Sequence, residues 1–233
     1  QARVRIYPQA GKTFYMVWFH QKASTPSGLQ SYSSGWLDMN VNLPNLAAGV
    51  NLMWGSSTIR HSYLERVNIT SWGNINSLNN MFYNCHALQS LNEHEWNTSQ
   101  ITSMNSTFLG CQRIQQLDCS GWNTSNVTDF TNLFRYTAGI RRIALSNWDV
   151  SKVTNMTATF QDSQGIQDID VSNWNTASLV TAISTFRNCI GLRILNVKNW
   201  NMSKVTSINS MFNGCFSVPE IDISLWSLPL CTD

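Results

Sequence analysis

The chain has 233 residues, enough for one large or two small domains with a core of their own, and 42% of them are hydrophobic. Only 12% are charged, and the formal net charge of +2 is spread without any basic run, which argues against nucleic acid or an anionic membrane as the partner. No apolar stretch approaches the roughly 20 residues that cross a bilayer, so the chain is not expected to insert into one.

The chain opens on Gln without a signal-peptide pattern and is expected to be a mature or excised piece of a longer protein. Residues 1–63 read as a strand-rich, all-β cap. "ARVRIYP", "TFYMVWFHQ", "GWLDMNVNLP" and "VNLMWG" are the expected strands, separated by the turns "KASTPSG" and "PNLAAG".

From residue 64 to 233 one sentence repeats about seven times. Trp96, Trp122, Trp148, Trp174, Trp200 and Trp226 are each 26 residues apart, and so are Phe82, Phe108, Phe134, Phe160, Phe186 and Phe212. Trp72 joins the first series two residues late. A period of 26 lies in the leucine-rich-repeat range. Within a unit, Val153, Met156, Phe160 and Ser163 fall at offsets of 3, 4 and 3, which predicts one face of a short helix. Thr124, Ser125, Ser151 and Ser203 stand where its N-cap belongs. An LxxLxL signature follows, as in Ile140, Ile143 and Leu145 or Leu192, Leu195 and Val197, and its closing period of two predicts a short strand. Strand, Trp corner, short helix and return make one rung. The expected fold is therefore an α/β solenoid, a leucine-rich-repeat-like right-handed coil with a parallel sheet down one side. No rung can bury its apolar face alone, which is why the unit repeats.

"WNTSNVTDFTNLF" and "WNMSKVTSINSMFNGC" resemble the W-D-T-S-N-V-T-x-M-x-x-M-F-x-G-C sentence of the BspA-type leucine-rich-repeat family, a domain of unknown function in mycoplasma and other bacterial surface proteins. The resemblance covers residues 64 to 228 and departs at Tyr136-Thr137 and Asp162-Ser163, where the Gly-Cys pair is absent. "NLMWGSSTIRHSY" resembles the strand-turn of PKD-type (Ig-like) β-sandwich modules, with Ser56 in place of that signature's Asp. The family resemblance implies an extracellular or cell-surface location, as part of a longer secreted or fibre protein that contacts another cell, a host protein or a glycan.

Candidate chemistry is sparse. His20, His61, His86 and His94 show no metal-ligand spacing, no G-x-S-x-G elbow is present, and "GKT" at 11–13 lacks the upstream glycine of a phosphate loop. Neither a catalytic set, nor a metal, nor a cofactor is expected. The Trp series could grip sugar rings, but its regularity favours a structural corner ladder. Cys85, Cys111, Cys189 and Cys215 share one repeat position, which points to buried small side chains rather than disulfides; Cys231 is the expected exposed exception. The sheet's outward positions change from rung to rung while the apolar sentence stays fixed, as a recognition surface requires. Arg141, Arg142, Asp168, Asp170, Arg193, Ile194, Asn196 and Lys198 are the expected ligand-binding residues, with a cross-rung Arg142–Asp168 ion pair as the bland use of the same positions. The sequence thus reads as a non-catalytic adhesion module for a cell-surface protein or glycan. The second reading is a structural spacer or fibre tip that self-associates through the open edge at "SLWSLPLCTD".

Overall fold

A computed structural model of the chain describes residues 16–18, 38–43, 51–54 and 64–233. Its strands are short: β1 (Met16–Trp18), β2 (Asp38–Asn42), β3 (Asn51–Met53), β4 (Arg66–Ser71), β5 (Ser90–Leu91), β6 (Gln116–Leu117) and β7 (Arg142–Ile143), with a 3-10 turn at Glu93–Glu95. Among the described residues every strand pairing is parallel: β1 with β3, β2 with β4, β4 with β5, and β6 with β7. Single parallel bridges carry the β6–β7 ladder on from Arg142 to Asp168 to Ile194. A second line of parallel bridges joins Ser77, Ser103, Asp129, Asn155, Thr181 and Ser207, each 26 residues from the last. Successive repeats therefore lie side by side in register.

The helix expected over Val153–Phe160, and its equivalents in the other repeats, is replaced by tandem turns. Amide groups alternate between two destinations. Phe82, Phe108, Phe134, Phe160 and Phe186 donate their N–H to carbonyls 25 residues ahead, at 2.8 to 2.9 Å, whereas Cys85, Cys111 and Cys189 donate back three residues within their own unit. A helix would spend all these amides internally and leave neighbouring repeats without hydrogen bonds. The turns require a left-handed residue every fourth position. Asn80, Ser106, Asn132, Ala158, Ser184 and Ser210 hold φ between 54° and 58°, and Asn84, Gly110, Tyr136, Asp162, Asn188 and Gly214 supply the second series. The residues expected as helix N-caps have other tasks. Thr124 Oγ1 donates to Asp149 O of the next unit at 2.9 Å, and the Ser125, Ser151 and Ser203 amides donate to the side chains of Asn123, Asp149 and Asn201.

The segment expected to be a β-sandwich cap shows a different pattern where it is described. A sandwich pairs its neighbours antiparallel, but β2 pairs in parallel with β4 across the boundary drawn at residue 63. Trp54 donates its N–H to Met81 O at 2.7 Å and stacks on Phe82 at 5.0 Å, so it takes the Phe position of a preceding rung. Val41, Leu43 and Leu52 are buried in the same core as the repeats. The rest of the expected cap, including Tyr15, His20, Trp36 and His61, lies outside the described residues.

Two aromatic columns form the axis of that core. Phe82, Phe108, Phe134, Phe160, Phe186 and Phe212 stack at 5.5 to 6.0 Å. Trp96, Trp122, Trp148, Trp174 and Trp200 stack at 5.5 to 6.4 Å. Such pairs contribute about 0.5–1.5 kcal/mol each beyond the area they bury. Trp122, Trp148, Trp174, Trp200 and Trp226 each donate the indole N–H to a carbonyl 29 residues earlier, so the polar edge of every corner ring is satisfied inside. Trp226 and Phe212, in the last unit, are only partly covered.

Candidate recognition surface

Each strand turn has three inward positions and three outward ones. Ile114, Leu117 and Cys119 are buried while Gln115, Gln116 and Asp118 are exposed, and the pattern holds through Leu192, Leu195 and Val197. Because the ladder is in register, the outward side chains form columns along the stack, one inter-strand spacing of about 4.8 Å apart.

The expected site residues divide between two adjoining surfaces. Arg142, Asp168, Asp170, Ile194 and Asn196 surround a hollow of about 550 Å³. Ile194 is 66% exposed at its rim. Arg141 and Arg193 face instead into a groove of about 1260 Å³ that runs along the stack and is lined also by Gln89, Gln115, Gln116, Gln164 and Gln167. Lys198 stands apart, with Nζ 2.7 Å from Asp222 in a half-exposed ion pair. The anticipated Arg142–Asp168 ion pair does not form; those residues are bridged through their backbones.

Asp170 is partly committed to structure. Its Oδ1 accepts the Ser172 hydroxyl at 2.7 Å and the Ser172 amide at 3.1 Å, and those bonds hold its carboxyl below the usual range. Asn196 accepts the Lys198 amide at 3.4 Å in the same way. Arg141, Arg142 and Arg193 are exposed and carry no ion pair among the described residues, so their guanidinium groups are available.

The groove's floor was not legible in the sequence. Gly139, Gly165 and Gly191 recur at one position, and a Cβ on them would lie 2.3 to 2.5 Å from a carbonyl oxygen of the preceding rung. Only glycine allows that approach, and the floor is left bare. Glu93 was also missed. It occupies the apolar position of Cys119, Leu145, Val171 and Val197, is 6% exposed, and its Oε1 accepts the Asp118 amide at 2.7 Å. That bond stands where a backbone carbonyl of β5 would otherwise pair with the next rung. Burial pushes the Glu93 carboxyl up, with the Asp118 amide opposing.

The remaining candidates are structural in their contacts. The Trp column is buried through Trp200, so its faces meet other rings rather than solvent. Cys111, Cys189 and Cys215 donate their thiols to Phe82, Phe160 and Phe186 carbonyls at 3.0 to 3.1 Å. The Ser163 hydroxyl makes the equivalent cross-rung bond to Phe134 O, whereas the Thr137 hydroxyl bonds to Phe134 O within its own unit and lies 3.0 Å from Ser163 Oγ. Burial raises the thiol pKa of Cys85, Cys111 and Cys189 well above the usual range. His86 Nδ1 lies 2.9 Å from Gly110 O, and His94 is exposed beside Glu95. Among the described residues no group of three His, Cys, Asp or Glu is placed to hold a metal ion, and no helix is long and apolar enough to cross a membrane.

The family model described as "Mycoplasma protein of unknown function, DUF285" matches residues 56–167 and 139–233. The chain belongs to this family. The two DUF285 matches overlap between residues 139 and 167, within the run of in-phase repeats, and the first starts two residues after Trp54, the first ring of the Phe column. Comparison with curated proteins and with solved structures returned no match.

Proposed function

We propose that this DUF285 chain is a non-catalytic extracellular recognition module of the BspA leucine-rich-repeat type, its rungs wound as a right-handed solenoid. It binds a cell-surface protein or glycan through the outward face of the repeat sheet. One observation carries the reading. The Trp and Phe columns keep one residue from rung to rung and the inward strand columns stay apolar apart from Glu93, whereas one outward column runs Gln116, Arg142, Asp168 and Ile194. A scaffold that holds its core constant and varies its face is suited to specific contact. The hollow with exposed Ile194 at its rim, beside unpaired arginines, has the chemistry of a small hot spot. Binding is multivalent, with several modest polar contacts acting along one surface.

The test is a whole-cell and glycan-array binding assay on the purified chain and on a variant carrying Arg141→Ala, Arg142→Ala, Arg193→Ala and Ile194→Ser. Loss of binding with an unchanged melting curve is the expected result. Binding that survives the four substitutions overturns the sheet-face assignment.

A specific observation favours a second, structural reading. Phe216 is 86% exposed, Leu225 62% and Leu230 54%, all beyond Cys215. Apolar exposure concentrated at one end of the stack supports self-association there. Solution mass across a concentration series separates the two: a monomer that binds cells fits recognition, and an inert stable oligomer fits the spacer.

A further inference from the structure

We propose that the groove beside the strand ladder binds a linear acidic polysaccharide with one carboxylate per disaccharide. The assignment rests on the recognition reading and names the ligand class for the Arg141 and Arg193 part of that face.

The argument starts from register. Gln89, Gln115, Arg141, Gln167 and Arg193 form a single column on the groove. Backbone bonds from Arg141 N to Gln115 O (2.9 Å), Gln167 N to Arg141 O (3.3 Å) and Arg193 N to Gln167 O (2.9 Å) hold it in step. Two inter-strand spacings separate the arginines, roughly 10 Å, close to the length of one disaccharide in an extended β-linked chain. A uronate chain laid along the column meets Arg141 and Arg193 with successive carboxylates. The neutral sugar between them faces Gln167, whose amide both donates and accepts and so suits hydroxyl and acetamido groups. Guanidinium is the side chain best shaped for a carboxylate, through two parallel N–H···O bonds.

The groove also fits the ligand in shape and discriminates against other polyanions. Its glycine floor at Gly139, Gly165 and Gly191 bears no side chain, so a sugar chain can lie against backbone. Among the described residues the one carboxylate on its lining, Glu93, is already bonded to the Asp118 amide. An extended acidic peptide repeats its same-face side chains about every 6.6 Å and falls out of step with the arginines. Single-stranded nucleic acid is held by aromatic stacking platforms, and among the described residues none that lines the groove is aromatic.

The experiment is calorimetric titration of the full chain with a hyaluronan decasaccharide, which alternates glucuronate and N-acetylglucosamine. The expected result is saturable binding that R141Q/R193Q weakens by about tenfold per arginine or more, and that K204A, which removes an exposed positive charge away from the groove, leaves unchanged. Glutamine already occupies this column in three rungs, so R141Q/R193Q is expected to fold, and an unchanged melting curve checks it. A chitin oligosaccharide, which lacks the carboxylates, is expected not to bind. The proposal is overturned by absence of hyaluronan binding, by undiminished binding in R141Q/R193Q, or by equal binding of polyglutamate or single-stranded DNA. If hyaluronan fails while whole-cell binding still depends on Arg142 and Ile194, the acidic-polysaccharide assignment falls and sheet-face recognition stands. If cell binding survives the fourfold variant, the recognition reading itself falls.

Discussion

At the scale of single residues, each rung depends on a few buried contacts that differ sharply in tolerance. Phe160 is fully buried between Phe134 and Phe186, at 5.6 and 5.5 Å. Its replacement by Ala removes both ring contacts and leaves a cavity, and urea denaturation is expected to show a loss of about 3–5 kcal/mol. Cys189, in the next rung, donates its thiol to Phe160 O, a cross-rung bond that the Ser163 hydroxyl makes to Phe134 O one rung earlier. Cys189→Ser is therefore expected to change stability by no more than about 1 kcal/mol. Asp149 makes a pH-dependent contribution. The Ser151 hydroxyl, then its amide, hold the carboxyl below its ordinary range. A folded pKa below the unfolded value of about 3.9 means stability that is present above that pH and lost as pH falls through the folded pKa. Asn97, Asn123 and Asn201 make the same turn without a charge. Asp149→Asn should accordingly leave the neutral-pH melting temperature nearly unchanged and flatten its fall below pH 4, as read in melts across a pH series.

At the scale of the element, the tandem turn is where sequence periodicity and structure part. Apolar offsets of 3 and 4 suit a helical face, but they equally suit turns that reverse every fourth residue. The left-handed positions are occupied by Asn, Ser, Ala, Asp and Tyr as well as Gly, so no single residue type announced them. The departures at Tyr136-Thr137 and Asp162-Ser163 are explained at this scale. Tyr136 and Asp162 take the left-handed position of Gly110 and Gly214, Ser163 supplies the hydrogen bond of the missing thiol, and Thr137 bonds within its own unit instead. A bulky aromatic residue at φ 58° is strained. Tyr136→Asn, which copies Asn84 and Asn188, should raise stability by about 1 kcal/mol in denaturant melts, less whatever the Arg135–Tyr136 cation–π contact supplies. A drop in stability would show that this contact outweighs the backbone strain.

For the whole molecule, in-register stacking makes stability a sum of rungs and their interfaces. Deleting residues 148–173 joins Asn147 to Trp174 and keeps the sentence in phase, so the aromatic columns and both bridge lines can close again. This variant should still fold, with a cooperative circular-dichroism melt at a lower temperature than the full chain. Deleting only 148–160 puts a turn segment against a strand segment and should abolish the transition. The two C-terminal units differ from the rest in the same terms: Phe212 and Trp226 have a neighbour on one side only.

The Trp and Phe columns, the LxxLxL strands, the buried thiol position and the outward set around Arg142 and Ile194 could all be read from a period of 26, because a side chain that recurs in phase must meet its own copy in the next rung. Glu93 could not, since this lone acid in an apolar column is compensated by an amide 25 residues away. Nor could the glycine floor, which is dictated by carbonyls of the preceding rung. By itself the sequence determined that repeats stack and which side chains face inward. Only the tertiary structure decided that the connecting segment is turns rather than helix, and that Arg141 and Arg193 share a groove while Arg142 and Ile194 share a hollow. The physical reason is common to both: hydrogen bonds between rungs settle where each amide goes, and local periodicity carries no record of a partner in another repeat.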